Sequence, residues 1–352
     1  MANEGRGSAG PQPILVTGMP RSGTTWVGRM LEASGQVGYL NEPFNLAMSP
    51  GTFRIPVEHW YTHITDENEA RVLAALRDAL AFKYPFAREL SRCRSRADIH
   101  RTLKGWRTFL RHRNRRAVIK EPHAVFSAAW FARRLSSNIV ITVRHPAAVV
   151  SSWKRLGWDF DFMNLLEQPL LMRDWLESFR PDMEAAMSPR KGLVDRIALL
   201  WSIIHSVVNQ YQQRFPQFRI ILQEDLSCDP VGQFAGLYES VGLSFTKDAI
   251  SAVVRSSSTD NPEETQLANP HQTLLDSRAT LESWKGRLTE EEIGRIRRVT
   301  EVVTSAFYPE TVWQRRKALA PASGVRALEG TPQTTNQSSD IAAPGFPNRH
   351  PH

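Results

Sequence analysis

Two cysteines in 352 residues leave little for redox or metal chemistry. Cys93 and Cys228 have no metal-ligand spacing, so neither a disulfide framework nor a zinc site is implied. Long apolar runs are also missing. The longest fall well short of the ~20 residues that a membrane span needs, and residues 1–11 lack the apolar core of a secretory signal. Acidic residues are the scarcer charge: Asp+Glu 36 against Lys+Arg 44, a net +8. That surplus suits an anionic ligand, but composition alone is too diffuse to demand nucleic acid. From about Ala320 to His352 large apolar residues run out, and such a tail cannot bury enough surface to fold. No internal repeat occurs. What remains is a flexible lead over 1–11, a single domain over 12–319 and a disordered tail over 320–352. A domain of that size is near the limit for one core.

The most informative stretch is GMPRSGTT, Gly18 to Thr25. It follows the apolar run Ile14-Leu15-Val16 and precedes Trp26, Val27, Met30 and Leu31, which share one helical face. Strand, glycine loop and helix are the context of a phosphate-binding loop. Gly18 and Gly23 have the G-x-x-x-x-G spacing, yet Thr24 stands where a triphosphate-cleaving loop carries lysine. The loop's cation is Arg21. A phosphate can still be held, but the lysine that reaches β- and γ-phosphates is absent. A second segment, NIVITVRHPAAVVSSW (Asn138 to Trp153), reads as a strand ending at Arg144 and then a helix started by Pro146. An arginine fork at a strand end grips a phosphate in two places. Ser152, eight residues on, can donate from the same side.

Elsewhere strands and helices alternate. Strands are expected at Pro13 to Thr17, Val37 to Leu40, Arg116 to Lys120, Asn138 to Val143 and Phe218 to Gln223. Helices are expected at Thr24 to Ala33, Glu67 to Ala81, Ala124 to Arg134, Pro146 to Arg155, Asp195 to Phe215, Pro230 to Val241 and Glu290 to Phe307. This alternation predicts an α/β fold of P-loop type, a parallel sheet flanked by helices on both faces. Ligands then bind beyond the C-terminal strand ends, where Arg21, Glu42, Lys120 and Arg144 fall.

Together, Arg21-Ser22-Gly23-Thr24-Thr25-Trp26 and the Arg144/Ser152 pair resemble the 5′-phosphosulfate and 3′-phosphate motifs of sulfotransferases that use 3′-phosphoadenosine 5′-phosphosulfate (PAPS). The resemblance spans roughly residues 12 to 307, though only short stretches are specific, and the motif style is nearest to bacterial and carbohydrate members. It implies PAPS as co-substrate and 3′,5′-adenosine diphosphate (PAP) as product; cationic side chains can do the electrostatic part, so no metal is expected. The acceptor it implies is a hydroxyl or amine on a glycan, glycolipid or small molecule. Golgi members carry a membrane anchor, so its absence here suggests a cytoplasmic and bacterial enzyme. Arginine-rich, lysine-poor usage agrees.

Sulfuryl transfer needs the donor and acceptor held in line, charge neutralised on the bridging oxygen, and a base for the acceptor proton. The resemblance gives the bridging oxygen to Arg21. Lys120, in VIKEPHAVF, resembles the lysine that stabilises the group in transit. Where cytosolic members place a histidine two residues later, this chain has Pro122, and His123 comes one further on. Glu42-Pro43, in YLNEPF, resembles carbohydrate and bacterial members with a glutamate base near this point; that resemblance makes Glu42 the favoured base, with Glu121 and His123 as substitutes. In ILQEDLSCDP, Gln223 replaces a tyrosine expected near the adenine. SWKGRLTEEE resembles the segment closing over the 3′-phosphate through Lys285, Gly286 and Arg287, although Thr289 and Glu292 also form a plain capping box.

Three questions stay open. The basic run Arg101 to Arg116 decorates an amphipathic helix with Leu103, Trp106 and Phe109/Leu110. It is either a solvated face, a site for an anionic or glycan acceptor, or a peripheral contact with an anionic membrane. Residues 43–115 and 155–195 are expected to shape the acceptor pocket. Trp153, Trp158, Phe160 and Phe162 either stack on an acceptor or fill the core. The rival functions are another P-loop kinase or NTPase, against which Thr24 and the Arg144/Ser152 pair count, and a non-catalytic polyanion-binding protein.

Overall fold

A computed structural model describes residues 12–47, 52–267, 269 and 271–313. The expected lead over 1–11 and tail over 320–352 lie outside the described residues. Five strands form one parallel sheet in the order β2-β3-β1-β4-β5. They are β1 Ile14–Gly18, β2 Val37–Asn41, β3 Arg116–Lys120, β4 Asn138–Val143 and β5 Arg219–Leu222. All five fall where the apolar runs placed them. β1 lies at the centre, with Ile14 opposite Val118 of β3 and Asn138 of β4. Both of its faces are buried, because strand side chains alternate. Ile14 and Val16 join the layer built from Trp26, Val27, Phe234 and Ala249. Leu15 joins the larger layer containing Val149, Trp153, Trp201 and Ile296. Helices therefore cover both faces, as the alternation predicted.

The first six helices are α1 Thr24–Glu32, α2 Leu73–Leu80, α3 Phe86–Ser91, α4 Arg96–His112, α5 Ala128–Leu135 and α6 Pro146–Leu156. Two are shorter than expected. The segment Glu67 to Ala81 begins as a 3-10 turn over Glu69–Arg71 before α2. The Asn68 side chain takes the Thr65 amide, and such local bonds compete with helix. Residues before α5 likewise form a 3-10 turn, Pro122–Ser127. The Leu193–Arg214 and Glu290–Thr304 helices pack against α6 beneath the sheet. The latter starts with the expected box of Thr289 and Glu292. No described helix is long and apolar enough to cross a membrane.

Candidate active site

The turn after β1 is shaped by glycine where nothing else fits. Gly18 has φ 147° and Gly23, the residue capping α1, φ 96°. A Cβ on Gly18 would collide with the Thr142 carbonyl oxygen, and one on Gly23 with the side chain of Gln223. Ser22 is fully buried and ties the loop back, donating to the Met19 carbonyl at 2.6 Å and sharing a 2.7 Å bond with the Thr142 hydroxyl. Thr24, Thr25 and Trp26 line the cleft above the sheet. The Trp26 indole donates to Ser256 Oγ at 2.7 Å. The amide-lined start of α1 thus faces the cleft, where anions are favoured.

Cations gather over this loop. Arg21 holds an uncommon φ of 76°, of the kind that clusters at functional sites. Its Nε donates to Ser152 Oγ at 2.9 Å and its Nη2 to Thr265 Oγ1 at 3.3 Å. Arg144 reaches in from the end of β4. Its Nη1 donates to the Arg21 carbonyl at 3.1 Å, and its Nη2 to that of Thr280 at 3.2 Å. Ser152 and Arg144 therefore both touch Arg21, one at its guanidinium and the other at its carbonyl. Arg155 and Arg287 complete the group, both paired with Glu264. Burial, then Arg144, Arg155 and Arg287, push Arg21 down to about 9, which leaves it cationic at neutral pH. One carboxylate, Glu264, serves two of these four guanidinium groups, so a further anion at the loop is electrostatically favoured.

The next strand ends bring an acid and a base together. Lys120 Nζ is hydrogen-bonded to Glu42 Oε1, and their side chains are only 2% and 7% exposed. Glu42 also accepts from Asn45 Nδ2 at 2.6 Å and has a left-handed φ of 46°. Burial alone would raise the Glu42 carboxyl. Lys120, then His123 and His271, outweigh it and hold the group at about 2. Glu121 is placed differently. Its fully buried carboxylate accepts from the Phe44 amide at 2.7 Å and the His123 amide at 3.1 Å. It also lies 3.0 Å from His123 Nδ1. Glu121 fastens the turn after β2 to the turn after β3, whereas Glu42 and His123 line the cleft.

The sulfotransferase family model matches residues 13–247, the span from β1 to the end of the Pro230–Ser240 helix and beyond. The chain belongs to the sulfotransferase family. No curated protein matches it. Among solved structures it is similar to a sulfotransferase domain from the curacin biosynthetic pathway, at 14% identity over 84% of this chain and 98% of that one, with TM-score 0.44. Sulfotransferase STF9 from Mycobacterium avium is 12% identical over 84% and 76%, at TM-score 0.41. Mouse sulfotransferase SULT7A1, solved with PAP, is 12% identical over 84% and 87%, at TM-score 0.37. These scores add nothing to what the family match already shows.

Much of this sulfotransferase's cleft escaped the sequence reading. Thr265, His271, Gln272, Thr273, Leu275 and Ser277, all after Ser256, also line it. That stretch has no helix or strand period and no motif, so nothing in the sequence marked it. Arg155 and Glu264 were missed for the same reason: their pairing is visible only in space. Lys285, Gly286 and Arg287 do not line the cleft. Lys285 pairs with Glu282, and Arg287 acts on Arg21 and Arg144 through its field. Of the four aromatics left open, Trp153, Phe160 and Phe162 are core. Trp158 stands in the cleft wall with Trp60 and Asn45, from the two segments expected to shape an acceptor pocket.

Proposed function

We propose that the enzyme transfers a sulfuryl group from PAPS to a hydroxyl on a ring-shaped acceptor, a sugar or a small molecule. The observation that carries this reading is the convergence of Arg21, Arg144 and Ser152 on a phosphate-loop turn whose lysine position holds Thr24. That set suits two separated phosphates better than a triphosphate chain. Ser22, Gly23, Thr24 and Thr25 would present the loop amides to the 5′-phosphosulfate, with Trp26 packed behind them. Arg144 and Ser152 would take the 3′-phosphate, with Arg287 adding its positive field from outside the cleft lining.

The chemistry asked of the protein is charge neutralisation and one proton transfer. Arg21 sits over the loop, where the bridging oxygen gains charge. Lys120 lies across the cleft and can follow the group in transit. In the resting pair Lys120 keeps Glu42 far too acidic to serve as a base at neutral pH. An anionic donor beside Lys120 draws its field away, and the Glu42 carboxyl rises towards a useful value. The same event that positions the donor thus activates the base. Trp60 and Trp158 offer flat apolar faces that suit a sugar or aromatic ring.

Thermal unfolding with PAP and with ATP tests the donor. A ligand at ~100 times its Kd adds about 2.7 kcal/mol, so PAP should raise Tm clearly and ATP much less. Equal shifts from the two would remove the 3′-phosphate role from Arg144 and Ser152.

A further inference from the structure

The net charge of the chain is concentrated in one hairpin. Residues 86–116, covering α3, α4 and the entry to β3, hold 11 Lys+Arg and 2 acids, a net of +9. The whole chain carries only +8, so everything else sums to −1. Neither acid faces water. Glu89 is fully buried and pairs with Arg88 and Arg92. Asp98 is spent in the capping box of α4 and on Arg101. Arg96, Lys104, Arg107, Arg111 and Arg113 are exposed and make no ion pair among the described residues.

The second observation is apolar. Ile99, Leu103, Trp106 and Leu110 are spaced four, three and four residues apart, so they share one face of α4. That face is not the one turned to the core, which is Asp98, Thr102 and Phe109. Ile99 is 42%, Trp106 38% and Leu110 47% exposed, and Leu90 of α3 is 41% exposed. At the C-terminal end of the stripe Trp106 and Leu110 border a small pocket that they share with Phe82, Tyr84, Phe109, Lys83 and Arg113. Phosphate contacts to a nucleic acid would use the cations and leave this stripe in water. A helix lying in the boundary of an anionic bilayer uses both: aliphatic and Trp side chains enter the acyl edge while Lys and Arg meet the headgroups.

We infer that the α3–α4 hairpin is a docking surface for an anionic phospholipid bilayer. This stands apart from the transfer reading, because none of Ile99, Leu103, Trp106 or Leu110 lines the catalytic cleft.

Co-sedimentation of the full chain with phosphatidylcholine vesicles, with and without phosphatidylglycerol, tests it. Binding should need the anionic lipid and weaken with salt. At ~1 kcal/mol per cation near the surface, the Arg107→Gln/Arg111→Gln pair should lower partitioning about thirty-fold. Ile99→Gln/Leu110→Gln should lower it about tenfold or more, because the inserted apolar area is lost. Both pairs should keep the PAP-induced rise in Tm, which shows that the fold and cleft survive. Equal binding to neutral vesicles, or binding indifferent to both pairs, overturns the inference. So does tighter binding to duplex DNA that ignores Ile99→Gln/Leu110→Gln, which would make this a nucleic-acid face. A dimer in light scattering that Ile99→Gln/Leu110→Gln dissolves would likewise assign the stripe to a second copy.

Discussion

Replacing Glu42 with Gln keeps its shape and removes its charge, so it separates what the buried pair does for the fold from what it does for the reaction. In the folded protein the Glu42 carboxyl sits at about 2 against an ordinary 4.5. A depressed carboxyl contributes stability that is fully present above the ordinary value and is lost as pH falls towards 2. At 1.36 kcal/mol per unit, that contribution is on the order of 3 kcal/mol at neutral pH. Breaking a buried pair by removing one partner costs about 3–5 kcal/mol, because the other charge stays buried. Glu42→Gln should therefore lower Tm by roughly 5–10 °C at pH 7, and the gap to wild type should narrow as pH drops below about 4. Turnover with PAPS should fall by roughly 10²–10⁴, as expected for loss of a general base, while PAP affinity stays near wild type. The double variant Glu42→Gln/Lys120→Met removes the stranded charge. It should regain stability without regaining turnover. A Glu42→Gln enzyme that keeps most of its turnover, while His123→Ala loses it, would make the histidine the base and leave Glu42 a purely structural partner of Lys120.

Other outcomes follow from the same geometry. Arg144→Ala should weaken PAP binding by about 1.5–3 kcal/mol in calorimetry, the range for a charge-assisted hydrogen bond; unchanged affinity with a normal melting curve would place the 3′-phosphate elsewhere. Gly23→Ala forces a side chain onto φ 96° and into Gln223. It should cost about 1–3 kcal/mol in urea unfolding and reduce PAP binding, and a silent substitution would contradict the tight loop described above. Trp158→Ala should raise the acceptor KM with little change in PAP affinity. If PAP affinity falls instead, the Trp60–Trp158 wall belongs to the donor.

The five strands, their parallel pairing and the phosphate loop were legible from the chain alone. Each rests on local information: a buried parallel strand is a short continuous apolar run, and a glycine loop between strand and helix has few other uses. The positions of Arg21, Glu42, Lys120 and Arg144 followed from the rule that places sites at C-terminal strand ends. Tertiary structure decided what those residues do to one another. Nothing in YLNEPF or VIKEPHAVF says that Glu42 bonds Lys120 while Glu121, one residue further on, turns away to fasten Phe44 and His123. Neighbouring residues at a strand end point to opposite sides, so which carboxylate faces the cleft depends on the register of β3 against β1 and β2. The part of the cleft lining that includes Thr265 and His271 was illegible because that stretch has no period to read. The hairpin's charge was countable in the sequence. Its exposed apolar stripe was not, since 3.6-residue spacing shows which residues share a face but not which face the core covers.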